Sequence, residues 1–177
     1  MRGRRLSLWI AVVAVAVGLM AYGGSDVAEG ADAKPGAWVG GAGFGFLRST
    51  PDGTAFALNV HAETFFVPNL SVGPLLQLGF TGDSTQVGLS GQVKYWIEIP
   101  NTAKRLKLTP QVGLGVVHNS FRDGDTSWLI PLGVGADYAL TDTLNVTGTL
   151  LLNFTHLDVG RKSRADVMPG LTFGVRF

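Results

Sequence analysis

Beyond Lys34 the chain alternates. Apolar side chains recur at every second position in one run after another, and no stretch carries a 3.6-residue apolar period over three turns. A period of two commits a chain to strands, because successive side chains of a strand point to opposite faces. Trp38, Gly40, Ala42, Phe44 and Phe46 share the face of a first strand, and Phe56, Leu58, Val60 and Ala62 that of a second. Leu70 to Phe80 makes a third, Val87 to Ile99 a fourth and Leu106 to Val116 a fifth; Trp128 to Leu140 and Leu144 to Phe154 follow. The eighth is "GLTFGVRF", with Leu171, Phe173, Val175 and Phe177 on one face and Gly170, Thr172, Gly174 and Arg176 on the other.

Turn chemistry separates these runs. Thr50 to Gly53, Gly82-Asp83, Arg122 to Asp125 and Gly160 to Asp166 follow the odd strands; Val67 to Asn69, Pro100 to Thr102 and Thr141 to Thr143 follow the even ones. The second set is mostly shorter. Long loops at one end and tight turns at the other are expected, as in an up-and-down barrel with an even strand count.

Alternation alone leaves two barrels open, a soluble one with the apolar face inside and a membrane one with it outside. The polar faces argue first: Gln86, Gly88, Ser90, Gln92 and Lys94 on the fourth strand, Asn145, Thr147, Thr149 and Asn153 on the seventh. A water-facing sheet is dense in Lys and Glu; here only 15% of residues are charged, against about 25% in soluble domains. Glycine and small amides suit a narrow closed interior. Volume argues second. Roughly five or six large apolar groups per strand would overfill an eight-stranded interior, which barely holds its own side chains.

The aromatics argue third. Trp38, Phe65, Phe66, Tyr95, Trp96, Tyr138, Phe173 and Phe177 are expected near the periplasmic rim, and Phe44, Phe46, Phe56, Phe80, Trp128 and Phe154 near the other. Two aromatic girdles mark a membrane barrel. The expected fold is therefore all-β, an eight-stranded antiparallel up-and-down transmembrane β-barrel. Its backbone groups must all pair in hydrocarbon, so the last strand must close on the first.

The N-terminal stretch is different. Arg2, Arg4 and Arg5 precede a continuous apolar run from Leu6 to Ala21, and Ala21-Tyr22-Gly23 and Ala31-Asp32-Ala33 both place small groups where a peptidase would cut. That is the pattern of a cleaved secretory signal; the run is short against the ~20 residues of a spanning helix. The expected division is a signal peptide over residues 1–23, with cleavage as late as 33, and a barrel over 34–177. Removing that segment leaves 11 Lys and Arg against 13 Asp and Glu, from 14 and 13. Nothing in that charge points to nucleic acid. With no cysteine, disulfides, thiolate metal sites and a lipidated N-terminal cysteine are excluded.

A strand of alternating apolar residues ending on Phe177 resembles the targeting signal of bacterial outer-membrane barrels. With the signal peptide, the Gly-rich "GGAGFGF" and eight strands, the chain resembles the small outer-membrane β-barrel family, OmpA-like or porin-family. The resemblance implies a bacterial outer-membrane location and a C-terminal signal, Phe173, Val175 and Phe177, taken up by the barrel assembly machinery.

Several residues could carry chemistry. His61, Glu63, Lys94, Glu98, Lys107, Asp137 and Arg176 have inward parity in one half of the barrel. Mixed charges in a narrow lumen should neutralise one another and plug it; a proton or ion path is the alternative. "VHNSF" puts His118 and Ser120 on one outward face, which resembles the His-x-Ser pair of lipid A deacylase, a barrel enzyme with a serine nucleophile and its base. No Glu follows on the next strand, and Phe121-Arg122 replaces the family's residues after the serine. Arg161, Lys162 and Arg164 form a basic cluster in an expected external loop, suited to lipopolysaccharide phosphates. The three histidines lack a ligand spacing, so no metal and no cofactor are expected.

The expected role is structural or surface-interactive: a monomeric barrel with a filled polar lumen, touching outer-membrane lipids and lipopolysaccharide. A small-solute or ion pore and a lipid A-modifying enzyme are the alternatives.

Overall fold

The computed structural model describes residues 35–102, 105–160 and 164–177. The expected signal peptide lies outside the described residues. Nine strand segments follow in order: β1 (Trp38–Thr50), β2 (Gly53–Val67), β3 (Leu70–Phe80), β4 (Thr85–Tyr95), β5 (Ile97–Glu98), β6 (Leu106–Asn119), β7 (Asp125–Ala139), β8 (Asn145–Asp158) and β9 (Arg164–Arg176). Consecutive segments pair antiparallel except β4 and β5, which both pair with β6, and β9 returns to β1. The sheet is closed.

The ninth segment is not a ninth stave. β4 ends with Lys94 opposite Gln111, and β5 resumes with Ile97 opposite Leu108, which is the same register. The gap falls where Tyr95 would face Pro110, which has no N–H to give the ladder. β4 and β5 are one stave of an eight-stranded barrel.

Between its rims the outer wall is apolar. Phe46 is 62% exposed and Leu114 68%, with Phe44, Val112, Leu132, Val134, Leu150, Leu171 and Phe173 exposed around the same wall. The inward positions are Asn59, Gln77, Gln92, Gln111, Thr109 and Thr172, all buried. An inside-out distribution of this kind is what a hydrocarbon surround requires. The seam has seven register partners, from Gly41 opposite Arg176 to Leu47 opposite Gly170. Gly40 and Phe177 extend it by exchanging two backbone hydrogen bonds of 2.9 Å.

Glycine is required where the wall and lumen crowd together. Gly41 lies opposite His61, and a Cβ built on it would overlap the imidazole ring. The ring occupies the space a side chain would take.

Three expectations need correction. The loops show no contrast between the two ends: residues 51–52 join β1 to β2, while the longer connection 99–105 lies at the end expected to be tight. The strands simply run further than the apolar alternation, so Arg164 begins β9 instead of lying in a loop. Phe44 and Phe173 stand directly opposite each other, so they cannot belong to opposite girdles. Phe65 and Trp96 belong to neither girdle, being 4% and 5% exposed and turned into the lumen.

Candidate functional site

The lumen is built in three layers. The first, beside the start of β1 and the end of β9, holds the charges. Ser71 Oγ donates to Glu63 Oε2 at 2.7 Å, and Trp96 Nε1 donates to Ser71 Oγ at 2.8 Å. Lys94 Nζ lies 3.5 Å from Glu63 Oε2, and His61 Nε2 lies 3.8 Å from Glu63 Oε1. From β9, Arg176 reaches past β8 to make a two-pronged contact with Asp137 on β7: Nε to Oδ2 at 2.8 Å and the terminal nitrogen to Oδ1 at 3.0 Å. Its guanidinium carbon sits 4.7 Å from the Trp96 ring centre, within cation–π range. Phe65 packs on the other side of that indole, with ring centres 5.5 Å apart. Trp96 therefore touches both ion pairs and closes the mouth with Phe65 and Val39.

Lys107 faces Asp137 from the neighbouring strand by register. Glu98 is 3.4 Å from Lys107, but its side chain is 43% exposed. It belongs to the rim, not to the interior expected for it, because β5 has passed the level of Trp96.

The second layer is amide and hydroxyl. Asn59 Nδ2 donates to Thr172 Oγ1 at 3.3 Å. A cavity of about 30 Å³ lies between His61, Gln92, Lys94, Gln111, Thr147 and Thr149. This is room for water-sized occupants only.

The third layer is apolar. Leu47, Val117, Leu129, Leu157 and Met168 fill it with Ala55, Ala57 and Ala165, all buried. A lumen polar throughout was expected; at the end away from the termini this apolar cluster instead shares the interior with buried Gln86, Asn119, Asn153 and Thr155. Just beyond the belt the alternation reverses. His118, Thr126 and His156 lie on the outer wall while Leu157 and Met168, both fully buried, lie inside. Polar groups outside and apolar ones inside are the distribution of a soluble domain.

The outward candidates are separated. His118 Nδ1 lies 2.8 Å from Thr126 Oγ1, and Ser120 Oγ accepts from the Thr85 amide at 2.9 Å. No hydrogen bond joins His118 to Ser120 among the described residues, and Asp125 accepts from the Asp158 and Thr126 amides. A nucleophile needs its base beside it, so the pair expected for ester chemistry is not assembled. Arg164 Nε donates to Asp166 Oδ1 at 2.9 Å, and His156 Nδ1 lies 3.2 Å from the same oxygen. Its charge is thus engaged by a carboxylate; Arg161 and Lys162 lie outside the described residues. Phe173, Val175 and Phe177 all face outward and exposed. Among the described residues no three His, Asp or Glu side chains gather as a metal site.

Ser71, Phe65 and Trp96 were missed by sequence reasoning. Parity was the signal: Phe65 is two residues from inward Glu63, and Trp96 two from inward Lys94.

No family model and no curated protein matches the chain. Among solved structures, Neisserial surface protein A superposes with a TM-score of 0.57 at 18% identity, over 78% of this chain and 94% of that one. The N-terminal β-barrel domain of Pseudomonas aeruginosa OprF gives 0.50 at 15% identity, over 81% and 100%. The likeness is one of fold. The chain is a closed eight-stranded antiparallel barrel of the kind found in small outer-membrane proteins.

Proposed function

We propose that the protein is an integral bacterial outer-membrane barrel whose sealed lumen makes it a structural or surface-interacting element. The observation that carries this reading is the pairing of an exposed apolar wall with an interior filled from end to end. Lipid covers the first, and the second leaves no route for solutes. An ion entering the charged layer would meet Leu129, Leu157 and Met168, all fully buried, and stripping its hydration there costs tens of kcal/mol in the idealised limit.

In this reading the chain crosses the inner membrane with a cleaved signal, and the assembly machinery takes up Phe173, Val175 and Phe177. It then works as a monomer without cofactor or catalysis. Its partners are outer-membrane lipids and lipopolysaccharide, the latter through Arg161, Lys162 and Arg164. Planar-bilayer recording on the purified full chain tests the sealed lumen. Expected is no current above the lipid baseline; steady single-channel steps would replace this reading with the pore. Fractionation of expressing cells tests location separately, since recovery in the inner membrane or the soluble fraction would remove the outer-membrane assignment.

A further inference from the structure

The seam between β1 and β9 is the one pairing that joins the two ends of the barrel. Every other ladder links segments near one another in the chain, through short turns or through the β5–β6 connection. Closing the seam costs the most chain entropy, yet it has seven register partners where β6–β7 and β8–β9 have twelve each. One of these pairs, Gly43 and Gly174, has no side chains to add.

What β9 does contribute on the inside is Arg176, 7% exposed. Among the described residues its side chain makes no hydrogen bond to β1, the strand it closes on. It reaches past β8 to Asp137 on β7 through two hydrogen bonds and lies over Trp96, at the junction of β4 and β5 across the lumen. Trp96 in turn leads through Ser71 to Glu63 on β2. Placing β9 on β1 therefore inserts one cation into a network anchored on four other staves. An open seam would let the sheet uncurl and draw β9 away from the wall opposite it, taking the guanidinium off Trp96, while Asp137 stays on β9's own side of the seam.

We propose that Arg176 is a closure latch: its contacts with Asp137 on β7 and with Trp96 on the opposite wall hold the curvature that brings β9 onto β1. The two faces of β9 then have separate work. Phe173, Val175 and Phe177 face lipid, while Arg176 locks the strand from within.

The chain has no cysteine, so paired cysteines can report each ladder alone. Ala42→Cys with Val175→Cys reports the seam, and Leu76→Cys with Leu89→Cys reports the β3–β4 ladder; both are register partners. Oxidation rates are measured on the full chain refolded in detergent micelles, with Arg176→Met, Arg176→Lys and Asp137→Asn added in turn. Losing two charge-assisted bonds should slow the seam cross-link by about tenfold or more, while the β3–β4 pair reacts as before. Arg176→Lys keeps the charge but not the fork and should fall between. Equal slowing of both pairs would reduce Arg176 to general stability and overturn the latch, as would no slowing of either. If Arg176→Met alone fails to refold, Arg176→Lys and Asp137→Asn decide in the same way. Membrane location does not enter this test.

Discussion

Glu98 stands directly across the ladder from Lys107, with 3.4 Å between carboxylate and ammonium. The outward stripes dictate this register: Ile97 must face Leu108 if both are to stay on the apolar side. The two ends of the pair differ, since the Glu98 side chain is 43% exposed and that of Lys107 only 7%. Water screens the contact, so Glu98→Gln should cost about 0–1 kcal/mol. Asp137→Asn, which strips Arg176 of a buried partner, should cost about 3 kcal/mol or more. Urea unfolding of the refolded barrel measures both. Equal penalties would mean that depth in the lumen does not govern these pairs.

Met168 has no exposed surface and sits in the apolar third of the lumen with Leu157 and Leu129. Met168→Ala should cost about 2–5 kcal/mol, as in the core of a soluble domain. A loss under ~1 kcal/mol would mean that this end of the lumen is not close-packed.

Outside, depth should set the penalty. Val112 and Leu150 are exposed in the middle of the wall, whereas Thr126 is exposed beyond the belt. Arginine at either of the first two should cost about 2–4 kcal/mol in lipid vesicles, and about 0–1 at Thr126. A flat response over the three sites would place the bilayer elsewhere on the wall.

How much of this was written in the sequence can be judged residue by residue. The period of two fixed which groups face out, and with it the Ile97–Leu108 and Glu98–Lys107 register. It equally placed Phe65, Trp96, Leu129 and Met168 inside, but aromatic and aliphatic residues carry no sign of which side of a wall they fill. Glycines and amides gave the interior its polar character, and the apolar third went unseen. Strand ends were illegible for another reason. Beyond the belt His118 and His156 are outward, so the apolar period stops marking the outer face although the ladder continues. The His118–Ser120 pairing failed because a shared face gives proximity but not a shared hydrogen bond. Hydroxyl and imidazole each found a nearer partner in Thr85 and Thr126.

Phe177 presents a different separation, between assembly and stability. Its ring is exposed, and both backbone groups are already paired with Gly40. Phe177→Ala keeps those two hydrogen bonds, so refolded stability should change by about 1 kcal/mol or less. If the exposed ring is part of a targeting signal, the amount reaching the outer membrane should drop severalfold. Wild-type abundance by immunoblot of membrane fractions would remove Phe177 from that role.

The tryptophans give an optical test of which side of the wall is which. Trp38 and Trp128 are 59% and 47% exposed on the outer wall, whereas Trp96 is 5% exposed and hydrogen-bonded to Ser71. Acyl chains brominated along their length quench indoles that they touch. In such vesicles, a variant retaining only Trp128 should lose most of its emission. One retaining only Trp96, with Trp9, Trp38 and Trp128 changed to Phe, should emit as in ordinary lipid. Trp96 cannot reach lipid without breaking its stack on Phe65 and releasing Arg176, which lies 4.7 Å from its ring. Quenching of Trp96 comparable to that of Trp128 would place its indole on the outer wall, and both the sealed mouth and the closure latch would fall with it.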